Sequence, residues 1–280
     1  MSFPQSFISV VLGITQRGSN LHWVFGVRIS ARDEGLIVVF AALYYALSIL
    51  SLYVPAIGLP ELTISLTAFI ASVFGILLGP ELGALTAFIG AFVSWILPPG
   101  GGSVFGLPFL LSPPLNAATV GLIYSKRWKQ AAGVMGLLIF VFWFTLPVTP
   151  LSQYAYVGIA VTFDKIIALA LIPPVALLLR RASSAKALLA TFFLLAFVGN
   201  EADNMWGSLV FAFPVVYNGI FGLNVETVRY LFVLSPFAYP AIRIIQAILA
   251  AVVAVPLVRA LKSAGWMPLV GKPRNQEQRG

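Results

Sequence analysis

Long apolar runs, separated by short polar or Pro/Gly-rich punctuation, dominate the chain. They mark eight helical segments, at roughly 34–56, 61–78, 80–97, 104–124, 131–149, 156–179, 186–213 and 237–261. A helix rises about 1.5 Å per residue, so about 20 apolar residues cross roughly 30 Å of hydrocarbon. The runs are continuously apolar and lack the alternating ten-residue pattern of a membrane barrel. The expected fold is all-α, a polytopic transmembrane helical bundle with an even number of spans.

The punctuation adds detail. Ser30, followed by Asp33 and Glu34, marks the start of the first helix, and Pro55 and Pro60 bracket its exit. Gly79-Pro80 leaves so little chain between the second and third segments that they must lie antiparallel and adjacent. Pro98-Pro99-Gly100-Gly101-Gly102 ends the third. The stretch 214–236, with Asn218-Gly219, Gly222 and Asn224, is the longest connection and has room for a short surface helix. Residues 33–262 form the bundle, 1–32 a cytoplasmic N-terminal segment and 263–280 a basic cytoplasmic tail. Phe3–Ile14 is apolar but short, has no basic residues before it and no small-residue cleavage site after it. It reads as a surface-lying segment, not a secretory signal.

Composition strengthens the membrane assignment. Only 9% of residues are charged and 60% are hydrophobic, against roughly 25% charged in soluble domains, and the mean hydropathy is +0.97. The expected location is the cell membrane, multi-pass, with lipid as the surrounding partner. Cysteine is absent, which excludes disulfides and thiolate chemistry, and His22 is the sole histidine, which excludes a multi-His metal site. No cofactor or metal is expected.

The net charge of +8 is explained without a nucleic-acid partner. With both termini in the cytoplasm, every one of the 17 basic residues except Lys165, Arg229 and Arg243 falls in a cytoplasmic stretch. That is the asymmetry the positive-inside rule describes.

Against this background the polar residues within the spans stand out. Asp164 and Lys165 lie in the sixth segment, Asn200, Glu201, Asp203 and Asn204 in the seventh, and Arg243 and Gln246 in the eighth. An ionised group at mid-bilayer costs about 2.5–3.5 kcal/mol or more unless it faces protein, a cavity or a partner. Counting the helix rise from the span ends puts Asp164 about 12 Å deep from outside and Glu201 about 22 Å along from inside. All three helices thus carry their charges in the outward half, as a pocket open to the exterior would require.

Asn200, Asp203, Asn204 and Gly207 fall at i, i+3, i+4, i+7 and share a face, while Glu201 sits about 100° away, within reach of Arg243 or Lys165. Two readings stand: the charges pair with one another and lock the bundle, or they receive a ligand. In the second, three acids against two bases leave one acid in surplus, which favours a guest with an amino or ring N–H group. Trp206, one turn from Asp203, is placed to stack on a planar ligand. Trp95, Tyr154 and Tyr156 fit either that role or an interfacial aromatic belt. Asn116 either joins the site or satisfies backbone freed by Pro113-Pro114. Small residues recur at Ala42 and Ala46 and at Gly75, Gly79 and Gly83, spacing that suits close internal packing or the docking of another membrane subunit.

The run Ile29-Ser30-Ala31-Arg32-Asp33 into Ala41-Ala42-Leu43-Tyr44-Tyr45-Ala46-Leu47-Ser48 is similar to the substrate-binding (S) components of energy-coupling factor (ECF) transporters, the vitamin-uptake systems. Ile76–Phe88 and the closing helix from Ile242 to Leu261 resemble them too. The resemblance implies capture of a vitamin, precursor or similar micronutrient from outside, then delivery with a transmembrane coupling subunit and two ATPases. It also implies that Ala42 and Ala46 face the coupling subunit. Members of that family usually have six spans, so two of the eight here are extra helices, among the fifth to seventh. Gly271-Lys272 is followed by Pro273 and lacks a phosphate-binding loop's Ser/Thr, so ATP use falls to partners.

The substrate-binding candidates are therefore Asn200, Glu201, Asp203, Asn204, Trp206, Arg243, Gln246, Asp164 and Lys165. No catalytic residue is expected, since a Ser/His pair, H-E-x-x-H and Gly-x-Gly-Asp are all missing. Two alternatives use the same carboxylates: an ion-coupled secondary carrier, or an intramembrane enzyme with Glu201 and Asp203 in acid/base roles.

Overall fold

The computed structural model describes residues 21–24, 27–50, 53–56, 59–98, 100–182 and 184–263. The Phe3–Ile14 segment, Gly271-Lys272 and the tail beyond Ser263 lie outside them. The bundle is all-α. Helix α1 spans Ala31–Leu50, α2 Phe69–Ile96, α3 Ser112–Tyr124, α4 Trp128–Phe142, α5 Leu151–Arg181, α6 Ala185–Phe211 and α9 Tyr239–Ser263. Two short helices, α7 (Pro214–Tyr217) and α8 (Val225–Leu234), occupy the long connection before α9. Two short antiparallel hairpins flank α1: β1 (Leu21–Val24) with β2 (Val27–Ser30), and β3 (Tyr53–Ala56) with β4 (Leu59–Ser65).

Six helical stretches among the described residues are long and apolar enough to cross a membrane: Asp33–Leu50, Leu66–Ile96, Leu107–Tyr124, Leu151–Arg181, Ala185–Phe211 and Tyr239–Leu261. The eight expected segments map onto these differently. The first helix stops at Leu50, short of Pro55, because the chain turns there into the β3–β4 hairpin. The second and third are the two arms of α2. The fifth is α4, an apolar helix shorter than a full span.

Within α2, Gly79 adopts φ 81°, ψ −177°, a conformation open to glycine and closed to residues with a Cβ. The chain reverses there. A Cβ placed on Gly83 would sit 2.8 Å from the carbonyl oxygen of Phe74, whereas a continuous helix would separate those residues by about 13 Å. The two arms are thus antiparallel neighbours, as Gly79-Pro80 leads one to expect. Helix α3 packs into the same corner: a Cβ on Gly121 would meet the backbone nitrogen of Pro80 at 2.5 Å, and one on Gly75 would collide with the carbonyl of Ala117. Gly75, Gly79 and Gly83 are buried and serve internal packing, so they are not a docking face. Ala42 and Ala46 differ, lying on an exposed face of α1 with Val38, Val39 and Leu43.

The ends of the bundle are chemically distinct. Arg127, before α4, pairs with Glu81, just past the hairpin turn, and Tyr124 at the end of α3 meets Phe192 near the start of α6 (ring centroids 6.0 Å apart). Lys126, Arg127, Lys129, Arg180, Arg181 and Lys186 therefore gather at one end, the basic end. The opposite end is closed by a cap. Phe105, Phe221, Phe211, Phe232 and Phe142 form a chain of ring contacts with centroids 5.2–5.9 Å apart, linking the loop before α3 to α6, the α7–α8 segment and α4.

Arg229 of α8 bolts this cap to the α4–α5 connection. Its guanidinium donates to the carbonyls of Pro147 (3.1 Å), Leu146 and Thr149 (both 3.2 Å), pairs with Glu226, and lies 3.3 Å above the Tyr154 ring. Five fixed donors in a plane make arginine suited to such a junction.

The glycine contacts predict a stability pattern. Gly121→Ala or Gly75→Ala should each cost about 1–3 kcal/mol, because the obstructing atoms are backbone. Gly133→Ala in α4, with nothing within 4 Å of its Cβ, should be neutral or stabilising. Thermal unfolding in detergent would show the contrast.

Candidate functional site

Helix α6 is the hub, packing against α2, α3, α4, α5 and α9. Every residue from Val198 to Met205 is buried, so its Asn-Glu-Ala-Asp-Asn string is enclosed on all sides. Polar side chains here avoid a large desolvation cost only by meeting partners, which come from α3, α5 and α9 and, for Asn204, from Glu201 on α6 itself.

Towards α3, a Cβ on Gly199 would collide with the Asn116 side chain, so glycine lets the two helices close up. The Asn116 amide then donates to Asn200 Oδ1 at 2.9 Å, and Ser72 of α2 donates to Asn116 Oδ1 at 2.8 Å. Asn116 thus belongs to the polar network and does not serve the backbone freed by Pro113-Pro114. Towards α9, the Asn200 amide donates to the carbonyl of Arg243 (3.3 Å), and the Arg243 guanidinium lies 3.6 Å from Asp203 Oδ1. Arg243 Nη1 also donates to Gln246 Oε1 (2.9 Å), whose amide donates to the carbonyl of Ser65 (3.0 Å).

Towards α5, Lys165 Nζ lies 2.9 Å from Asp164 Oδ1 and 3.7 Å from Glu201 Oε2. Asp164 Oδ1 also accepts the backbone N–H of Lys165 at 2.9 Å. Helix α5 begins at Leu151, so Asp164 sits about 20 Å from its start, deeper than a span starting near Tyr156 would put it. Asp164, Lys165, Glu201, Asp203, Asn204, Arg243 and Gln246 are all buried. These seven and Asn200 are brought together, Trp206 makes no hydrogen bond with them, and Ser72 joins through Asn116. A single serine in an apolar arm carries no signal that would have marked it beforehand.

Charge compensation within the cluster is uneven. Asp203 faces Arg243 and Asp164 faces Lys165, leaving Glu201 with the remoter side of that lysine and a 3.5 Å contact from the Asn204 amide. Its other oxygen, Oε1, is buried and has no partner. The same holds for Trp206 Nε1, but Trp206 lies about 7.5 Å further along the helix and roughly 140° around it, so the two atoms do not share a face. Buried polar atoms left unmatched are rare, and each calls for a water, an ion or a ligand group.

The remaining aromatic candidates are engaged elsewhere. Trp95 donates from Nε1 to the carbonyl of Ser103 (2.7 Å), Tyr154 lies under Arg229, and Tyr156 is exposed. None of the three joins the cluster. No group of three or more His, Asp or Glu side chains among the described residues is arranged to hold a metal ion.

The chain matches no protein-family model, no curated protein and no solved structure. The functional argument therefore stands on geometry and charge.

Removing Lys165 should leave two buried carboxylates uncompensated. Lys165→Met is expected to cost about 3–5 kcal/mol, and adding Asp164→Asn should recover part of that loss. Unfolding temperatures of the single and double variants provide the test.

Proposed function

We propose that this protein is the solute-binding subunit of a membrane transport system. In this reading it takes up a small molecule of the vitamin, precursor or micronutrient class from the extracellular side of the plasma membrane. It then hands that molecule on with an ECF-type transmembrane coupling subunit and two ATPases. The observation that carries the reading is the buried cluster at α5, α6 and α9, in which Glu201 keeps one oxygen unpartnered amid three acids and two bases. A cluster that served only to lock helices would be expected to match every buried atom.

Two further features support it. Basic residues gathered at one end suit that end to the cytoplasm, which turns the capped end, nearer the polar cluster, towards the exterior. The exposed Ala42 and Ala46 of α1 give a partner helix room for close approach, in keeping with the resemblance to ECF S components.

Equilibrium dialysis of the purified protein against radiolabelled vitamins and precursors tests binding. One compound is expected to bind at one per chain and to be retained through gel filtration. No binding from a broad panel, together with no ATP-dependent uptake by cells expressing the chain with a coupling module, would overturn the proposal. Ala42→Leu with Ala46→Leu should abolish that uptake while leaving dialysis binding unchanged. Equal loss of both would argue that the α1 face serves folding.

A further inference from the structure

Resting on the proposed binding role, the charge arrangement narrows the class of guest. Asp164, Glu201 and Lys165 form one local group with one positive and two negative side chains, all of them buried. The ammonium pairs with Asp164 at 2.9 Å and, more remotely, with Oε2 of Glu201 at 3.7 Å, so one lysine is shared between two carboxylates. The other buried cation of the cluster, Arg243, is held by Asp203 at 3.6 Å and by Gln246 at 2.9 Å. Arg229, the third buried basic side chain among the described residues, is committed to Glu226 and the α4–α5 connection at the cap. The negative surplus thus falls on Glu201, whose Oε1 is both enclosed and unpartnered.

An enclosed carboxylate oxygen in surplus negative charge repels an anion and gains little from a neutral acceptor. A cation, by contrast, restores balance, and one bearing N–H groups also satisfies the oxygen. We propose that the guest is a small organic cation whose positively charged nitrogen sits against Glu201 Oε1. Asn204, whose amide reaches the other oxygen of Glu201 at 3.5 Å, holds that carboxylate in place.

The test uses the full-length purified protein and a charge-matched panel. Thiamine and pyridoxamine supply cations, riboflavin and pyridoxine neutral compounds, and biotin and 4-pyridoxate anions. Pyridoxamine, pyridoxine and 4-pyridoxate share one ring and differ in the charge of a single substituent. A cation is expected to bind, with its neutral and anionic counterparts at least about tenfold weaker, and Glu201→Gln is expected to weaken it at least about tenfold.

A bound anion or neutral compound with no bound cation would overturn the charge assignment while leaving the transport reading intact. Cation binding that Glu201→Gln leaves unchanged would overturn the assignment to this carboxylate. Thermal stabilisation by sodium over potassium, with no organic compound bound, would replace the organic cation with an inorganic one. No binding by any member would count against both the guest class and the transport role. Should Glu201→Gln fail to fold, the ring-matched series on the unaltered protein still decides the sign of the charge.

Discussion

The cost of burying charge on α6 organises this molecule. Asn200, Asp203 and Asn204 share one face of a helix with no exposed side along that stretch, and Glu201 points about 100° away. In an apolar surrounding, each polar group left alone costs several kcal/mol. The bundle meets that constraint by surrounding α6 with helices that each supply a matching group: Asn116 from α3, the Asp164–Lys165 pair from α5, and Arg243 from α9. The hydrophobic effect cannot choose between helix neighbours when lipid is as apolar as the side chains. Directional polar matches and glycine-dependent close approach can choose, and both are concentrated here. Gly199 is the clearest case, since removal of one Cβ is what brings Asn116 to Asn200.

Several of these relations were legible in the sequence. A long apolar run has one physical meaning in a chain with 9% charged residues, so the helical bundle and most of its segments follow directly. Gly79-Pro80 dictated a reversal because no other geometry closes in so few residues. Asp164, Lys165, Glu201, Asp203 and Arg243 were findable because ionisable residues in such runs are costly. The pairing among them was not. Helical periodicity placed Glu201 near either base, and the choice of Lys165 over Arg243 depends on the rotation of α5 and α9 about their own axes, which no local pattern encodes.

Other features were hidden for related reasons. The run following α1 is as apolar as the helix itself, so its turn into β3 and β4 at Tyr53 left only Pro55 and Pro60 as markers. Trp95 and Tyr154 had the depth of ligand-stacking rings, but their partners, the Ser103 carbonyl of a loop and the Arg229 guanidinium of α8, are brought to them by tertiary packing. Arg229 was recognisable as an exception to the charge asymmetry. Its role as the bolt between α8 and the α4–α5 connection rests on three backbone carbonyls, and carbonyls leave no trace in a sequence.

The two halves of the bundle also divide labour along its axis. Towards the basic end, the α2 arms and α3 are joined through Gly75, Gly83 and Gly121 at distances that leave no room for a Cβ. Towards the capped end lie Ser72 and Asn116 in the first turns of their helices, Arg243 near the start of α9, and the acids of α5 and α6. A guest among those groups has a short route past the cap and a long one through close-packed backbone. Close-packed helix interfaces do not deform gradually; they hold or they separate. Passage towards the basic end therefore requires the helices around the cluster to part, and parting α3 from α6 breaks the Asn116–Asn200 bond. Binding alone supplies too little free energy to do that repeatedly, since a ligand shifts an equilibrium only by its differential affinity for the two states. Under the proposed function this is the physical reason for the division of roles: the chain holds the guest, and the work of opening the bundle falls to partners that consume ATP.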